Sequence, residues 1–570
     1  MDGRHLIRSS RGDEPADVVF SNGRIVNVFT GEIVDGNIGV KDGYILGIGD
    51  YTGRKTVDLK KKLVAPGFMD AHVHIESSMT GIPEYVRTVG ATGTTAVVAD
   101  PHEIANVMGL DGIRFMFQSA EHQPMDIYFS VPSCVPATSM ETSGATLSAL
   151  DLPLVFNDPR VVALAEMMNY PGVIYENTDV LDKLDVARNH VRVLDGHCPG
   201  LSGKNLNAYV AAGIGSDHEC VSAAEAREKL SAGMVVMVRE GSGAKNLKDL
   251  LPAINSRTSS RMMWCTDDRN PHDLTSKGHI DALVRDAIGL GLDPITAIRM
   301  ATINPAGYFG IRDAGAVSPG KKANLIIFED INRPVAKEVY FKGVKIAENG
   351  EMLPEIQCPG LPDLPSTMNV NGDFLDFGIR AQSNRIHLIE MVENQIVTRH
   401  QIARIPVADH MAAVDLSRDI LKCAVIERHR NTGNIGKGFV RGFGLKQGAL
   451  ASSVAHDSHN IITVGANDED MKIAVLKVIE MKGGIAVSAK GELRASLALP
   501  IAGLMSKDPM KIVCRGLDHL FQVVRALGCT MDDPVMSLSF VALPVIPELK
   551  ITDLGLVDVA KFEIIPLFVH

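Results

Sequence analysis

Ala65-Pro-Gly-Phe-Met-Asp-Ala-His-Val-His-Ile-Glu-Ser-Ser-Met79 reads as a short apolar strand that ends in two histidines. Side chains alternate faces in an extended chain, so residues two apart point the same way. His72 and His74 therefore aim two imidazoles into one space at the strand's end, the start of a metal site. An isolated His-x-His on a surface is unremarkable. The rest of the chain must supply the missing ligands.

Working outward from this strand, apolar runs rich in β-branched residues recur, with longer helix-compatible segments between most of them. Eight stand out: Leu63–Val73, Thr94–Ala99, Ile127–Val131, Val161–Ala165, Val191–Leu194, Gly213–Gly215, Met234–Val238 and Met262–Cys265. Strands alternating with helices imply a parallel sheet. Eight such units in roughly 250 residues match an α/β fold of the (β/α)8 TIM-barrel type.

The flanks differ. From Ala16 to Leu63 the runs are short and β-like, punctuated by Asn22-Gly23, Thr30-Gly31, Asp35-Gly36 and Asp42-Gly43, the usual hairpin signals. Short strands with glycine turns return at 320–346. The simplest expectation is a small β-sandwich assembled from both flanks of the barrel. Pro354, Pro359, Pro362 and Pro365 mark a linker, and a C-terminal α+β domain follows it. The expected division is 1–63 and 311–353 for the sandwich, 64–310 for the barrel, 354–372 for the linker and 373–570 for the last domain. In that domain Ile386–Val392 and Ala424–Arg428 read as strands, 471–482 as an amphipathic helix, and Gly484–Ser488 with Leu493–Leu499 as a hairpin. The glycine-rich 436–444 stretch lacks Walker spacing and reads as a turn-rich connection.

Composition narrows the function classes. The 570 residues are 45% hydrophobic and 22% charged, with a net charge of −11, as for a large globular protein. One compact basic run, Lys60-Lys61-Lys62, is no nucleic-acid or membrane footprint. Eight cysteines without a Cys-x-x-Cys pair fit reduced thiols and rule out the Pro-Cys-x-x-Cys zinc deaminases. The first residues carry no signal core, and no apolar run approaches the ~20 residues of a membrane span. A soluble cytoplasmic protein is expected, with neither nucleic acid nor membrane as partner.

Active sites of such barrels lie at the C-terminal ends of the strands. Those ends carry His72 and His74, then Asp100, His102 and Glu103, then Glu166, His197, His218, Glu240 and Asp267. Each alone has a structural explanation. Together they are hard to explain by structure, because burying so many uncompensated polar groups is costly.

At this point the chain resembles the amidohydrolase superfamily, and within it the adenine deaminases. The superfamily resemblance rests on Pro66-Gly-Phe-Met-Asp-Ala-His-Val-His74, the histidines after the fifth and sixth strands and the aspartate after the eighth. Asn304-Pro-Ala306 and Pro319-Gly-Lys-Lys-Ala-Asn-Leu325 belong to it too. The narrower one rests on His74-Ile-Glu-Ser-Ser-Met79, Ala99-Asp-Pro-His-Glu-Ile-Ala-Asn-Val107, Glu166-Met-Met168 and Asp217-His-Glu219. Arg239-Glu-Gly-Ser242 and His459-Asn-Ile-Ile-Thr-Val-Gly465 complete it.

The resemblance implies a binuclear divalent metal centre, with Mn2+ favoured over Fe2+ or Zn2+. His72, His74 and Asp267 would hold one metal, and His197 and His218 the other. Many relatives bridge the metals with a carboxylated lysine on the fourth strand. No lysine occurs between Lys62 and Lys183, so Glu166 takes that place. Asp100 and His102 would orient ligands or hold a subsidiary metal. The implied reaction is hydrolysis of adenine to hypoxanthine and ammonia by a metal-bound hydroxide, in purine salvage and adenine catabolism. Asp267 would shuttle the proton, Glu240 or Glu103 would protonate the ring, and Arg239 and Ser242 would contact the base. A homo-oligomer is expected. Two alternatives stay open: another amidohydrolase acting on a different cyclic amidine or amide, and an inactive barrel serving as a scaffold. His456-Asp457-Ser458-His459 either closes over the barrel mouth or packs within its own domain.

Overall fold

The computed structural model describes residues 3–355, 357–392 and 395–569. Strands from both sides of the barrel share one nine-stranded sheet. The join is Leu63–Pro66 lying antiparallel to Leu325–Phe328, with Ala65 opposite Ile326. Two of the four expected turns are real: Gly31 has φ 81°, and Asp42 and Gly43 have φ 50° and 80°. The Asn22-Gly23 and Asp35-Gly36 pairs instead lie within the long strands Ala16–Asn27 and Glu32–Lys41. Asn22-Gly23 forms an irregularity in their register between Phe20 and Gly23, a bulge that twists the ribbon without reversing it.

The opening stretch is also two strands. Leu63–Pro66 belongs to the flanking sheet and Phe68–Val73 to the barrel. The chain switches sheets at Gly67, where an added Cβ would meet Thr95 Oγ1 at 2.1 Å. Only glycine lets the two backbones come this close.

The barrel strands are β1 (Phe68–Val73), β2 (Thr94–Ala99), β3 (Asp126–Val131) and β4 (Val161–Met167), followed by β5 (Val193–Gly196), β6 (Ser216–Asp217), β7 (Val235–Arg239) and β8 (Met262–Cys265). They run parallel in two curled sheets, β1 to β5 and β6 to β8. Gly215 N–H donates to Leu194 O at 2.9 Å across one seam. Across the other, Asp267 N–H donates to His72 O at 3.0 Å and His74 N–H to Asp267 O at 3.3 Å. The result is a TIM-like barrel, and this second seam brings three metal-type residues together through backbone pairing alone. The sixth strand falls three residues later than Gly213–Gly215, because its glycines form the turn into a two-residue strand.

After residue 357 the chain runs without helix or strand to 371. An eight-stranded sheet follows, covered on both faces as period-2 alternation requires. Ala486 faces the helix Asp468–Glu480 through Met471, Ala474 and Val478. Its neighbours Ile485 and Val487 join the opposite core with Leu517 and Val524 of the helix Met510–Ala526. The 436–444 stretch corrects the expectation of a connection: Ile435–Arg441 is a strand between two others. Its glycines serve close packing, since a Cβ on Gly436 would lie 1.8 Å from Thr552 O.

This unit docks on the barrel mouth. Ser506 N–H donates to Met79 O at 2.8 Å, and Thr142 N–H to Asp553 Oδ1 at 2.8 Å. Ile75, Met79 and Ile82 share one apolar core with Ile501, Met505 and Met510. Among the described residues, no helix is long and apolar enough to cross a membrane.

Candidate metal centre

All six expected ligands converge at the C-terminal end of the barrel. His72 lies in β1 and His74 one residue past it, Glu166 lies in β4, and His197, His218 and Asp267 follow β5, β6 and β8. Glu166 stands at the centre. Its Oε1 faces His72 Nε2 at 3.7 Å and His74 Nε2 at 3.3 Å. Its Oε2 faces His197 Nδ1 at 2.7 Å and His218 Nε2 at 3.2 Å. One carboxylate thus addresses two separate pairs of imidazoles. Asp267 Oδ1 completes the first group, 3.0 Å from His74 Nε2 and 3.5 Å from His72 Nε2.

The donor set fits cations. The Nε2 atoms of His72 and His74 approach to 3.2 Å. His74 Nδ1–H donates to the Asp100 carbonyl at 3.0 Å, and a carbonyl only accepts, so the neutral ring presents a lone pair at Nε2. Lone pairs and carboxylate oxygens facing one small space suit a divalent metal. Burial opposes charge on His218, but Glu166 with Asp267 and Glu219 outweighs it and draws the ring up to about 9. Burial likewise works to raise Glu166, yet His218, with hydrogen bonds from the surrounding imidazoles, holds it well below the ordinary carboxylate range.

Buried polar side chains fix this geometry from behind. Asp70 accepts from His72 N–H at 3.2 Å and Thr266 N–H at 3.1 Å, and pairs with His279 Nε2 at 2.9 Å. Asp217 accepts from Cys198 N–H at 2.8 Å and from Lys229 Nζ at 2.9 Å, locking the ends of β5 and β6 together. Such outer partners orient ligands and tune their basicity.

The remaining expected residues divide. Asp100 and His102 are inside: His102 Nδ1 lies 3.2 Å from Asp100 Oδ2 and 3.5 Å from Glu166 Oε1. Glu103 lines the pocket, whereas Glu240 is not among its lining residues and accepts from Leu247 N–H at 3.1 Å. Arg239 lines the pocket with its guanidinium engaged by Glu219 and by Asp267 Oδ2. Ser242 Oγ donates to Asp273 Oδ2 at 2.8 Å and accepts from Asn270 N–H, outside the lining.

Several lining residues escaped the sequence. Glu219 Oε1 lies 3.5 Å from His218 Nε2, and its place beside His218 was the available signal. Asp268 accepts from Ser77 Oγ. The C-terminal unit adds Ile396, His456, Asp457, Phe540, Leu543 and Ile546, so the 456–459 segment does close over the mouth. Glu103 ties it down through His456 Nδ1 at 3.2 Å, while His459 Nε2 lies 3.6 Å away without a hydrogen bond. That trio is no metal set. His459 Nδ1 accepts from Ala455 N–H at 3.1 Å, which leaves the ring proton on Nε2 and removes the lone pair a metal needs.

A TIM-like barrel with a carboxylate between two pairs of histidines defines a metal-dependent hydrolase. Residues 63–352 match the amidohydrolase family, and residues 395–563 match the adenine deaminase C-terminal domain. The chain is 52% identical to an adenine deaminase of Desulfatibacillum aliphaticivorans over 99% of both chains. It is 47% identical to one of Methanothrix thermoacetophila over 99% of each. With adenine deaminase 1 of Rhizobium meliloti the identity is 45%, over 98% of this chain and 99% of the relative. The chain belongs to the amidohydrolase family and, within it, groups with the adenine deaminases.

Proposed function

We propose that the protein hydrolyses adenine to hypoxanthine and ammonia, with His72, His74 and Asp267 holding one divalent metal, His197 and His218 a second, and Glu166 spanning both. Manganese is the proposed metal. The observation that carries the chemistry is Glu166, whose two oxygens face two different imidazole pairs at 2.7 to 3.7 Å. Whole-chain identity to relatives named adenine deaminase supports the substrate.

Two divalent cations, when bound, supply Lewis-acid charge and make water acidic enough to react at neutral pH. The protein's own groups do the rest. The pocket has one wall of imidazoles and carboxylates and another of Ile396, Phe540, Leu543 and Ile546. A flat purine packs its ring on the apolar wall and turns C6 towards the polar one. Asp267 Oδ1 is the proton acceptor for the attacking water, with Arg239 holding Oδ2 at 2.7 Å and fixing the carboxylate's orientation. As water oxygen adds to C6, ring N1 takes a proton. The proposed route is Glu103, which lines the pocket while Glu240 is turned to Leu247. Against the pull of burial, His456 holds the Glu103 carboxyl well below the usual range, so the proton passes from the paired His456 imidazole at 3.2 Å. Asp267 then gives its proton to the exocyclic amine, the C6–N bond breaks, ammonia leaves, and the C6 hydroxyl proton returns through Glu103 as the C6=O of hypoxanthine forms. A group that accepts and then donates in this way contributes about 10²- to 10⁴-fold.

The test is ammonia release from adenine by protein of known metal content. Ammonia and hypoxanthine in equal amounts support the proposal. Two bound metals with no ammonia from adenine refute it.

A further inference from the structure

We propose that Asp457, carried by the C-terminal unit, is the hydrogen-bond acceptor that reads a ring N–H of the bound purine and so selects a free base. The proposal rests on the adenine reading above and assigns a residue to its specificity.

Asp457 is a buried acid, 3% exposed, that lines the pocket beside His102 and His456. Its nearest cationic groups are the His102 and His456 imidazoles. Its Oδ1 lies 3.7 Å from His102 Nε2 and 3.8 Å from His456 Nδ1, too far for hydrogen bonds. Its Oδ2 is buried with no hydrogen-bond partner among the described residues. Burying an acceptor without a partner costs free energy, and such atoms in folded proteins call for an explanation. Here the explanation is the pocket into which the residue is set.

Position argues for the substrate as the missing partner. His102 separates Asp457 from the metal ligands, with Nδ1 3.5 Å from Glu166 Oε1 and Nε2 towards Asp457. The carboxylate thus stands one imidazole further out than the reacting carbon. Phe540, stacked on His456 at 4.6 Å between ring centroids and 23° between planes, belongs to the same segment of wall. A purine lying along this wall with C6 at the metal ligands turns its five-membered ring outward. That ring carries the one N–H of a free base, on N7 or N9, and a sugar at N9 removes it. Asp457 presents only acceptors when ionised, so it rewards that N–H. Glu103, 3.2 Å from His456 Nδ1, and Ser539 Oγ, accepting from His456 N–H at 3.1 Å, hold the segment in register, which makes Asp457 part of a built wall rather than a mobile tip.

The test is a mutant cycle on the metal-loaded, full-length enzyme. Purine and 9-methylpurine are measured as competitive inhibitors of adenine deamination, with wild type, Asp457→Ala and the near-isosteric Asp457→Asn. Methylation removes the N–H and adds bulk, and the bulk cancels between enzymes. A hydrogen bond to a charged group corresponds to about 10- to 100-fold in affinity. The wild-type ratio of the two inhibition constants should exceed the Asp457→Ala ratio by that factor, with Asp457→Asn between them and metal content unchanged in both. Asp457→Asn alone decides the matter if Asp457→Ala fails to fold. Equal ratios in all enzymes overturn the proposal, as does loss of a metal equivalent from the variants. A wild-type enzyme that releases no ammonia from adenine overturns the adenine reading and the proposal with it. One that deaminates adenine but is inhibited by neither purine overturns the proposal alone.

Discussion

Replacing Glu166 by glutamine removes one charge from the point where five imidazoles face one carboxylate. The near neighbours are His197 at 2.7 Å, His218 at 3.2 Å, His74 at 3.3 Å, His102 at 3.5 Å and His72 at 3.7 Å. Both carboxylate oxygens are used, one per imidazole pair, and an amide offers a single oxygen. The side chain is 4% exposed, so water does not replace the lost charge. Removing one partner from a buried, hydrogen-bonded charge cluster costs about 3–5 kcal/mol. At 1.4 kcal/mol per factor of ten, affinity for the second metal falls roughly 10²- to 10³-fold or more. Glutamine matches the shape, so the barrel should fold as before. Metal content after equilibrium dialysis, read by mass spectrometry, should drop from two equivalents to one or fewer in Glu166→Gln. A variant that keeps both metals at wild-type affinity refutes a spanning Glu166.

Asp267→Asn should retain its Arg239 contact and lower turnover by about 10²- to 10⁴-fold. Near-normal kcat with both metals bound excludes Asp267 as the proton carrier. Lys550 is fully buried, pushed down by burial to about 7, and donates to the carbonyls of Ile396 and Phe540 at 2.9 Å each. The folded chain then binds fewer protons than the unfolded one between pH 7 and about 10.4, so stability rises with pH in that window. Relative to Lys550→Met, the wild type should gain about 1.4 kcal/mol per pH unit between pH 7.5 and 9.5 in urea denaturation, and parallel curves exclude a neutral Lys550. Gly436→Ala pushes a methyl group to 1.8 Å from Thr552 O and should destabilise the protein by about 1–3 kcal/mol or more. A change below about 0.5 kcal/mol contradicts the close approach.

The barrel strands were legible where the apolar run is unbroken and bounded by polar residues: Thr94–Ala99 and Met262–Cys265 stand where the pattern placed them. The sixth was illegible because a two-residue strand has no period to read. Asn22-Gly23 misled because the pair that makes a hairpin turn also makes a bulge, and only the partner strand decides between them. The convergence was legible because strand ends of a parallel barrel share one face, whereas singling out His72, His74, Glu166, His197, His218 and Asp267 as the proposed ligands came from the resemblance. Ser242 and Glu240 lie next to Arg239 in sequence, yet the loop after β7 turns both side chains away, towards Asp273 and Leu247. The 456–459 segment could be read either way, and the part of the wall formed by Phe540 and Leu543 was out of reach, since it depends on docking across some 300 residues of chain.

Activity measured while metal is added back to metal-free protein, with adenine as substrate, tests the binuclear adenine hydrolase most directly. Ammonia release should rise with added manganese and reach its plateau at two equivalents per chain. A plateau at one equivalent, or no ammonia with two equivalents bound, would contradict it.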